Sequence, residues 1–114
     1  MPRFAVLAHD HPTPHWDLFL ESGPVLRAWR LLAPLRPGID VPAEVTPDHR
    51  PVYLDYEGPL SGGRGTVSRI DAGTFEWHAD LPDQVAVGLA GIRLSGVLTL
   101  RRDRAGWSAR LDPL

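Results

Sequence analysis

The sequence predicts an all-β domain of about eight short strands, folded as a sandwich or a small closed barrel. Three observations predict it. Twelve prolines and eleven glycines in 114 residues punctuate the chain at short intervals. The runs between them are rich in Val, Leu, Ile, Phe and Trp, residues that suit a pleated, half-buried surface. No segment of useful length carries apolar positions at the helical period. At this length the chain forms one domain over residues 1–114, able to bury roughly 65% of its unfolded surface.

Phe4–Ala8 reads as the first strand, Trp16–Glu21 as the second and Val25–Leu31 as the third, the last two joined by Ser22-Gly23-Pro24. Ala33–Pro51 carries Pro34, Pro37, Pro42, Pro47 and Pro51, a density that predicts a long ordered loop without a strand. Loops of that length in a compact domain are often functional. Val52–Tyr56 resumes as a strand, and Ser61-Gly62-Gly63-Arg64-Gly65 is a glycine-rich turn. Arg64–Ile70, Thr74–Ala79 and Gln84–Leu89 follow as strands. Ile92–Arg101 and Gly106–Leu111 form a terminal hairpin turned at Asp103-Arg104-Ala105-Gly106.

Composition excludes several chemistries. The chain has no cysteine, so disulfides, thiolate metal sites and thiol nucleophiles are out. All twelve basic residues are arginine, which excludes a Schiff-base lysine and a phosphate-loop lysine. A formal net charge of −2 argues against a bulk basic protein that coats nucleic acid, but not against a local basic cleft. No apolar stretch approaches the ~18 residues of a membrane helix, and Phe4–Ala8 is too short for a signal-peptide core. The expectation is a cytoplasmic protein with no membrane partner.

The chemistry-bearing string is His9-Asp10-His11-Pro12-Thr13-Pro14-His15-Trp16-Asp17. Residues two apart on a strand share a face, about 6.6 Å apart, so His15 and Asp17 point the same way. His9 ends the preceding strand and lies beside them if the two strands pair antiparallel. Two imidazoles and a carboxylate on one face form a facial triad with open positions, suited to Mn²⁺, Zn²⁺ or Fe²⁺. Histidines beside turns are also ordinary polar loop residues, and the spacing alone leaves both readings open. His11, between two prolines, is expected in solvent, and His78 is expected to be structural or exposed. Arg50, Arg64 and Arg69 lie near turns or strand ends, where they can face an anion. Arg101, Arg102 and Arg104 are expected to solvate the terminal hairpin. The four tryptophans are expected in the core and at its rim.

The string from Phe4 to Glu21 resembles the opening of the 3′-phosphoesterase domain of bacterial DNA ligase D. His9, His15, Asp17, Leu20 and Glu21 match that pattern in order and spacing. Leu26-Arg27-Ala28-Trp29 looks like the family's Leu-x-Ser-Trp segment. Asp48-His49-Arg50-Pro51-Val52-Tyr53-Leu54-Asp55-Tyr56-Glu57-Gly58 is similar to its Asp-His-Pro-Leu-x-Tyr-x-x-Phe-Glu-Gly block. Gly65-Thr66-Val67, Asp71-Ala72-Gly73-Thr74-Phe75-Glu76 and Leu94-Ser95-Gly96 extend the likeness over nearly the whole chain.

The resemblance implies a closed or nearly closed β-barrel of about eight strands with the proline-rich loop on it. It implies a manganese-dependent enzyme of DNA repair that removes a terminal 3′-ribonucleoside and then the 3′-phosphate; Zn²⁺ or Co²⁺ are alternative ions. Carried over by position, His9, His15 and Asp17 are the metal ligands. His49 contacts the scissile phosphate as transition-state stabiliser or general acid, and Tyr53 shares its pocket. The implied partners are nucleic-acid 3′ ends and, for a stand-alone and divergent member, a separate ligase or polymerase. Two positions depart from the family. Phe19 stands where an arginine follows the metal-binding aspartate, and Pro47 where an acidic residue precedes the pocket histidine. The family's lysine has no counterpart, with Arg30 and Arg36 nearest to it. Arg64 is the candidate to supply the charge at the substrate phosphate. The alternative is a catalytically impaired relative that binds a metal, a phosphate or a DNA end.

Overall fold

The computed structural model describes residues 1–113. Nine strands form: β1 (Arg3–His9), β2 (His15–Ser22), β3 (Val25–Leu31), β4 (Val41–His49), β5 (Gly58–Pro59), β6 (Thr66–Leu81), β7 (Gln84–Gly91), β8 (Ser95–Asp103) and β9 (Gly106–Asp112). Eight run in the order β1-β2-β3-β4-β9-β8-β7-β6, and an antiparallel β1–β6 pairing closes them into a barrel. β5 adds outside it, against the start of β6. Among the described residues no helix is long and apolar enough to cross a membrane.

The barrel interior takes alternate residues from every barrel strand, including Phe4, Val6, Leu18, Leu20, Trp29, Leu31, Phe75, Val87, Leu98 and Leu100. Strands β1 to β3 are buried on their other face as well. There Ala5, Leu7, Phe19, Leu26 and Ala28 pack with Val67 and with Leu54 from a 3₁₀ turn at Pro51–Leu54. That second cluster explains why the first strands read as nearly continuous apolar runs. The covering segment is tied down at Asp55, whose carboxylate accepts 2.5 and 3.3 Å hydrogen bonds from Arg3. The Arg3 hydrogen bond holds the Asp55 carboxyl below its ordinary range. Leu54 is the plug of this cover, at 2% exposure. Leu54→Ala is expected to cost about 2–5 kcal/mol of stability, read by chemical unfolding.

Three expectations are corrected. The long proline-rich loop contains a strand, β4, and the irregular part shrinks to residues 32–40. Proline is excluded from a ladder only where its missing N–H must donate. Pro47 has no register partner, because it falls in the irregularity between the Ala28–Thr46 and Leu26–His49 pairs, and Pro42 lies in the short three-pair contact with β9. Val52–Tyr56 is not a strand; the 3₁₀ turn replaces it.

The strands expected at Arg64–Ile70 and Thr74–Ala79 are one strand, β6. Asp71-Ala72-Gly73, the gap left between them, pairs with Val6, Ala5 and Phe4 of β1. The Asp71 carboxylate does its work elsewhere. Only 3% exposed, it accepts hydrogen bonds from the backbone N–H groups of Ile92, Arg93 and Leu94 at 3.1, 3.0 and 2.7 Å. Those bonds hold the turn that delays β8 until Ser95. Gly73 sits between β1 and β7, where a Cβ would run into the Ala90 carbonyl and the Gly91 Cα.

Candidate metal centre

The β1–β2 hairpin sets the site. Its register pairs His9 with His15 and Leu7 with Asp17. Paired residues and residues two apart share a face, so His9, His15 and Asp17 all point out of the barrel, toward the covering segment. Their ligating atoms lie within 4.8 Å of one another. The two imidazole rings have centroids 4.6 Å apart.

The hydrogen bonds assign the ring nitrogens. A carbonyl oxygen only accepts, so a ring nitrogen beside one must carry the proton. His9 donates from Nε2 to the Arg64 carbonyl at 2.7 Å, and His15 donates from Nδ1 to the Thr13 carbonyl at 2.9 Å. Their other nitrogens turn inward. His9 Nδ1 lies 3.2 Å from Asp17 Oδ2, and His15 Nε2 lies 3.2 Å from Asp17 Oδ1. His15 is 3% exposed, and its Nε2 has no hydrogen-bond partner among the described residues. The Asp17 contact therefore has the distance of an ion pair but not the alignment of a hydrogen bond. In neutral rings, both inner lone pairs would face a carboxylate. Positive charge between them would relieve that repulsion, either a second ring proton on His9, whose Nδ1 has hydrogen-bond geometry to Asp17 Oδ2, or a divalent cation. Bonds of ~2.1 Å to one ion at octahedral or tetrahedral angles put donor atoms ~3.0–3.4 Å apart, which the two 3.2 Å nitrogen–oxygen distances match. The carbonyl partners are the usual outer support of metal-binding histidines.

The Arg64 carbonyl is held by the turn that carries it. Gly65 has φ +83°, and a Cβ there would collide with the Asp10 carboxylate and the His11 Cβ. Asp10 Oδ1 in turn accepts a 2.8 Å hydrogen bond from the Thr66 N–H. Gly65→Ala is expected to shift this carbonyl off His9 and weaken divalent-metal binding about 10- to 100-fold, read by metal titration.

A cavity of about 350 Å³ opens beside the three groups. Its polar wall is His9, His15, Asp17, Arg30, Thr46, Asp48, His49 and Arg64; its apolar wall is Leu7, Phe19, Pro47, Leu60 and Val67, with Tyr53 at the side. His49 arrives from the end of β4 and donates from Nδ1 to the Pro47 carbonyl at 2.8 Å, which leaves Nε2 free. Phe19 packs against the His49 ring at 5.0 Å and the Tyr53 ring at 6.2 Å. Arg64 reaches the rim, but its guanidinium is engaged with Ser61, Nε on the carbonyl at 2.7 Å and Nη2 on Oγ at 2.9 Å.

Arg30, named from the sequence only as a substitute, with Arg36, for the family's lysine, lines the cavity. It is the register partner of Asp17 on β3, and its Nε is buried without a partner among the described residues. The signal was available: a two-residue loop at Gly23-Pro24 pairs Ser22 with Val25, and counting back pairs Asp17 with Arg30. Arg36 is exposed in the irregular segment after β3. His11 is exposed, His78 is half-exposed beside Glu76, and neither lines this cavity. Trp29 is in the core, with Trp16, Trp77 and Trp107 packed against it.

Compared with known proteins, residues 7–102 match the family model of the DNA Ligase D 3′-phosphoesterase domain. No curated protein matches the chain.

Proposed function

The chain belongs to the DNA ligase D 3′-phosphoesterase domain family, and from that membership we propose that it is a divalent-metal-dependent phosphoesterase of nucleic-acid 3′ ends. It takes off a terminal 3′-ribonucleoside, then the remaining 3′-phosphate, and leaves a hydroxyl for a ligase or polymerase in the cytoplasm. One observation carries the metal dependence: two histidines, each with its outer nitrogen committed to a backbone carbonyl, turn their inner nitrogens on one carboxylate.

On this reading His9, His15 and Asp17 hold the ion, Mn²⁺ first, with Zn²⁺ or Co²⁺ also suited to the donor set. A bound divalent ion supplies Lewis-acid stabilisation of a phosphoryl oxygen and lowers the pKa of water. His49 keeps its Nδ1 proton on the Pro47 carbonyl, so Nε2 is the nitrogen that meets substrate. Neutral, Nε2 accepts a proton; protonated, it donates to a phosphoryl or leaving oxygen as charge builds there. Phe19 restricts the swing of that ring by contact. Tyr53 offers a hydroxyl to the same phosphate, and Arg64 offers a cation at the rim once released from Ser61. Both reactions break a P–O bond at the 3′-phosphate, so one pocket serves both.

His49→Ala is expected to lower turnover by about 10²-fold or more while leaving metal affinity in place. The test of the whole reading is a 5′-labelled primer–template ending in a 3′-phosphate or a single 3′-ribonucleotide, incubated with and without Mn²⁺. Metal-dependent conversion to a 3′-hydroxyl is the expected result. Stoichiometric metal without conversion would replace it with the alternative, a module that binds a metal, a phosphate or a DNA end.

A further inference from the structure

We propose that Arg30 is the cation that grips the substrate phosphate in this site. The inference rests on the phosphoesterase reading and adds the residue that recognises the reacting group. Arg30 projects from β3 on the same outer face as Asp17, its direct cross-strand partner, and lines the cavity that holds His49. Its Nε is buried and has no hydrogen-bond partner among the described residues. No carboxylate lies within salt-bridge distance of it among the described residues, although Glu44 is its register neighbour on β4.

A guanidinium with a buried, unsatisfied donor is costly unless something brings acceptors to it. Three neighbouring arginines are already engaged, and Arg50, next to His49, is exposed and lines an adjoining cavity instead of this one. Arg64 holds Ser61, Arg27 is paired with Asp80, and Arg69 reaches the Leu54 carbonyl and Glu57. Among the described residues that line the cavity, Arg30 is the arginine whose side chain has no hydrogen bond or ion pair; Arg64 has Nη1 to spare but is anchored to Ser61 through Nε and Nη2. The planar fork of arginine matches two oxygens of a phosphate at once. Phe19, diagonal to Arg30 across the β2–β3 pair, brings no donor of its own, so the charge reaches the phosphate from β3 instead of β2. The ligand class is a terminal phosphomonoester or the phosphodiester that precedes it.

The experiment titrates the full chain with inorganic phosphate by calorimetry, with saturating Mn²⁺ and again without it. It compares the wild type with Arg30→Gln, Arg30→Lys and Arg64→Gln. Arg30→Gln is expected to weaken phosphate binding roughly 10- to 100-fold and to raise KM for a 3′-phosphorylated primer more than it lowers kcat. Arg30→Lys is expected to recover part of the affinity, since it restores the charge but not the fork. Mn²⁺ titration of each variant shows that the fold and the three ligands are intact. If Arg30→Gln proves unfolded, Arg30→Lys decides alone, with a roughly 10-fold loss expected at unchanged Mn²⁺ binding. Phosphate affinity equal to wild type in the Arg30 variants overturns the proposal, as does a wild type that binds no phosphate or a larger loss in Arg64→Gln. A wild type that binds phosphate through Arg30 yet converts no 3′-phosphate leaves Arg30 standing and removes the enzyme reading. Full conversion by Arg30→Gln with wild-type KM removes Arg30 alone.

Discussion

Asp17→Asn is expected to abolish divalent-metal binding, by 100-fold or more in affinity, without harming the fold. Asparagine keeps the size of aspartate and removes its charge. Its amide nitrogen donates to one of the two inner ring nitrogens that now face the carboxylate, His9 Nδ1 or His15 Nε2, both 3.2 Å away. The substitution therefore relieves part of the repulsion an ion would otherwise relieve. Two unfolding curves separate the effects. Wild-type protein should gain about 2.7 kcal/mol when Mn²⁺ is raised to 100 times its dissociation constant. The variant should gain nothing measurable and match or exceed the metal-free wild type. A variant that still shows the Mn²⁺-dependent shift would place the ion elsewhere. Phosphoesterase turnover is expected to vanish with the metal.

The largest expected effect on the fold itself is at Asp71. Its carboxylate accepts three backbone N–H bonds from the turn between β7 and β8, in a setting only 3% exposed. Alanine removes all the acceptors and leaves the donors buried. At about 1–3 kcal/mol for each unsatisfied group, softened by local rearrangement, Asp71→Ala should cost about 3–5 kcal/mol. That is a large share of the 5–15 kcal/mol typical of a domain. With about 4–8 °C per kcal/mol at this size, the midpoint should fall by about 12 °C or more. Asp71→Asn keeps one acceptor oxygen and should lose less. A midpoint within a few degrees of wild type in the alanine variant would mean that water or a shifted turn replaces the carboxylate.

Both residues show what spacing can and cannot convey. Asp17 was legible as a candidate because it alternates with His15 on one short strand, and period two alone puts them on a common face. Asp71 fell in the gap left between two expected strands, Arg64–Ile70 and Thr74–Ala79, which are one strand. Its neighbour Gly73 marks a crowded crossing of strands rather than a reversal, and single-chain pattern reading does not separate the two. The same limit produced the loop assigned to Ala33–Pro51. Proline density forbids a strand only where the partner needs an N–H, and which residues face a partner depends on strands far away in sequence.

By itself the sequence determined the all-β class, the first three strands and the terminal hairpin, and the face shared by His15 and Asp17, since each follows from period-two alternation and local turn chemistry; the β1–β2 pairing then added His9 to that face. Only the tertiary structure decided what lies against that face. The closure of β1 on β6 and the packing of Leu54 onto Phe19 and Val67 bring the cover down over the hairpin. That packing sets His49 and Tyr53 beside the cavity, and it leaves Arg30 unpaired in its wall while Arg64 is held by Ser61. Whether a charge is free or committed depends on its neighbours in space, and those are set by contacts between segments tens of residues apart.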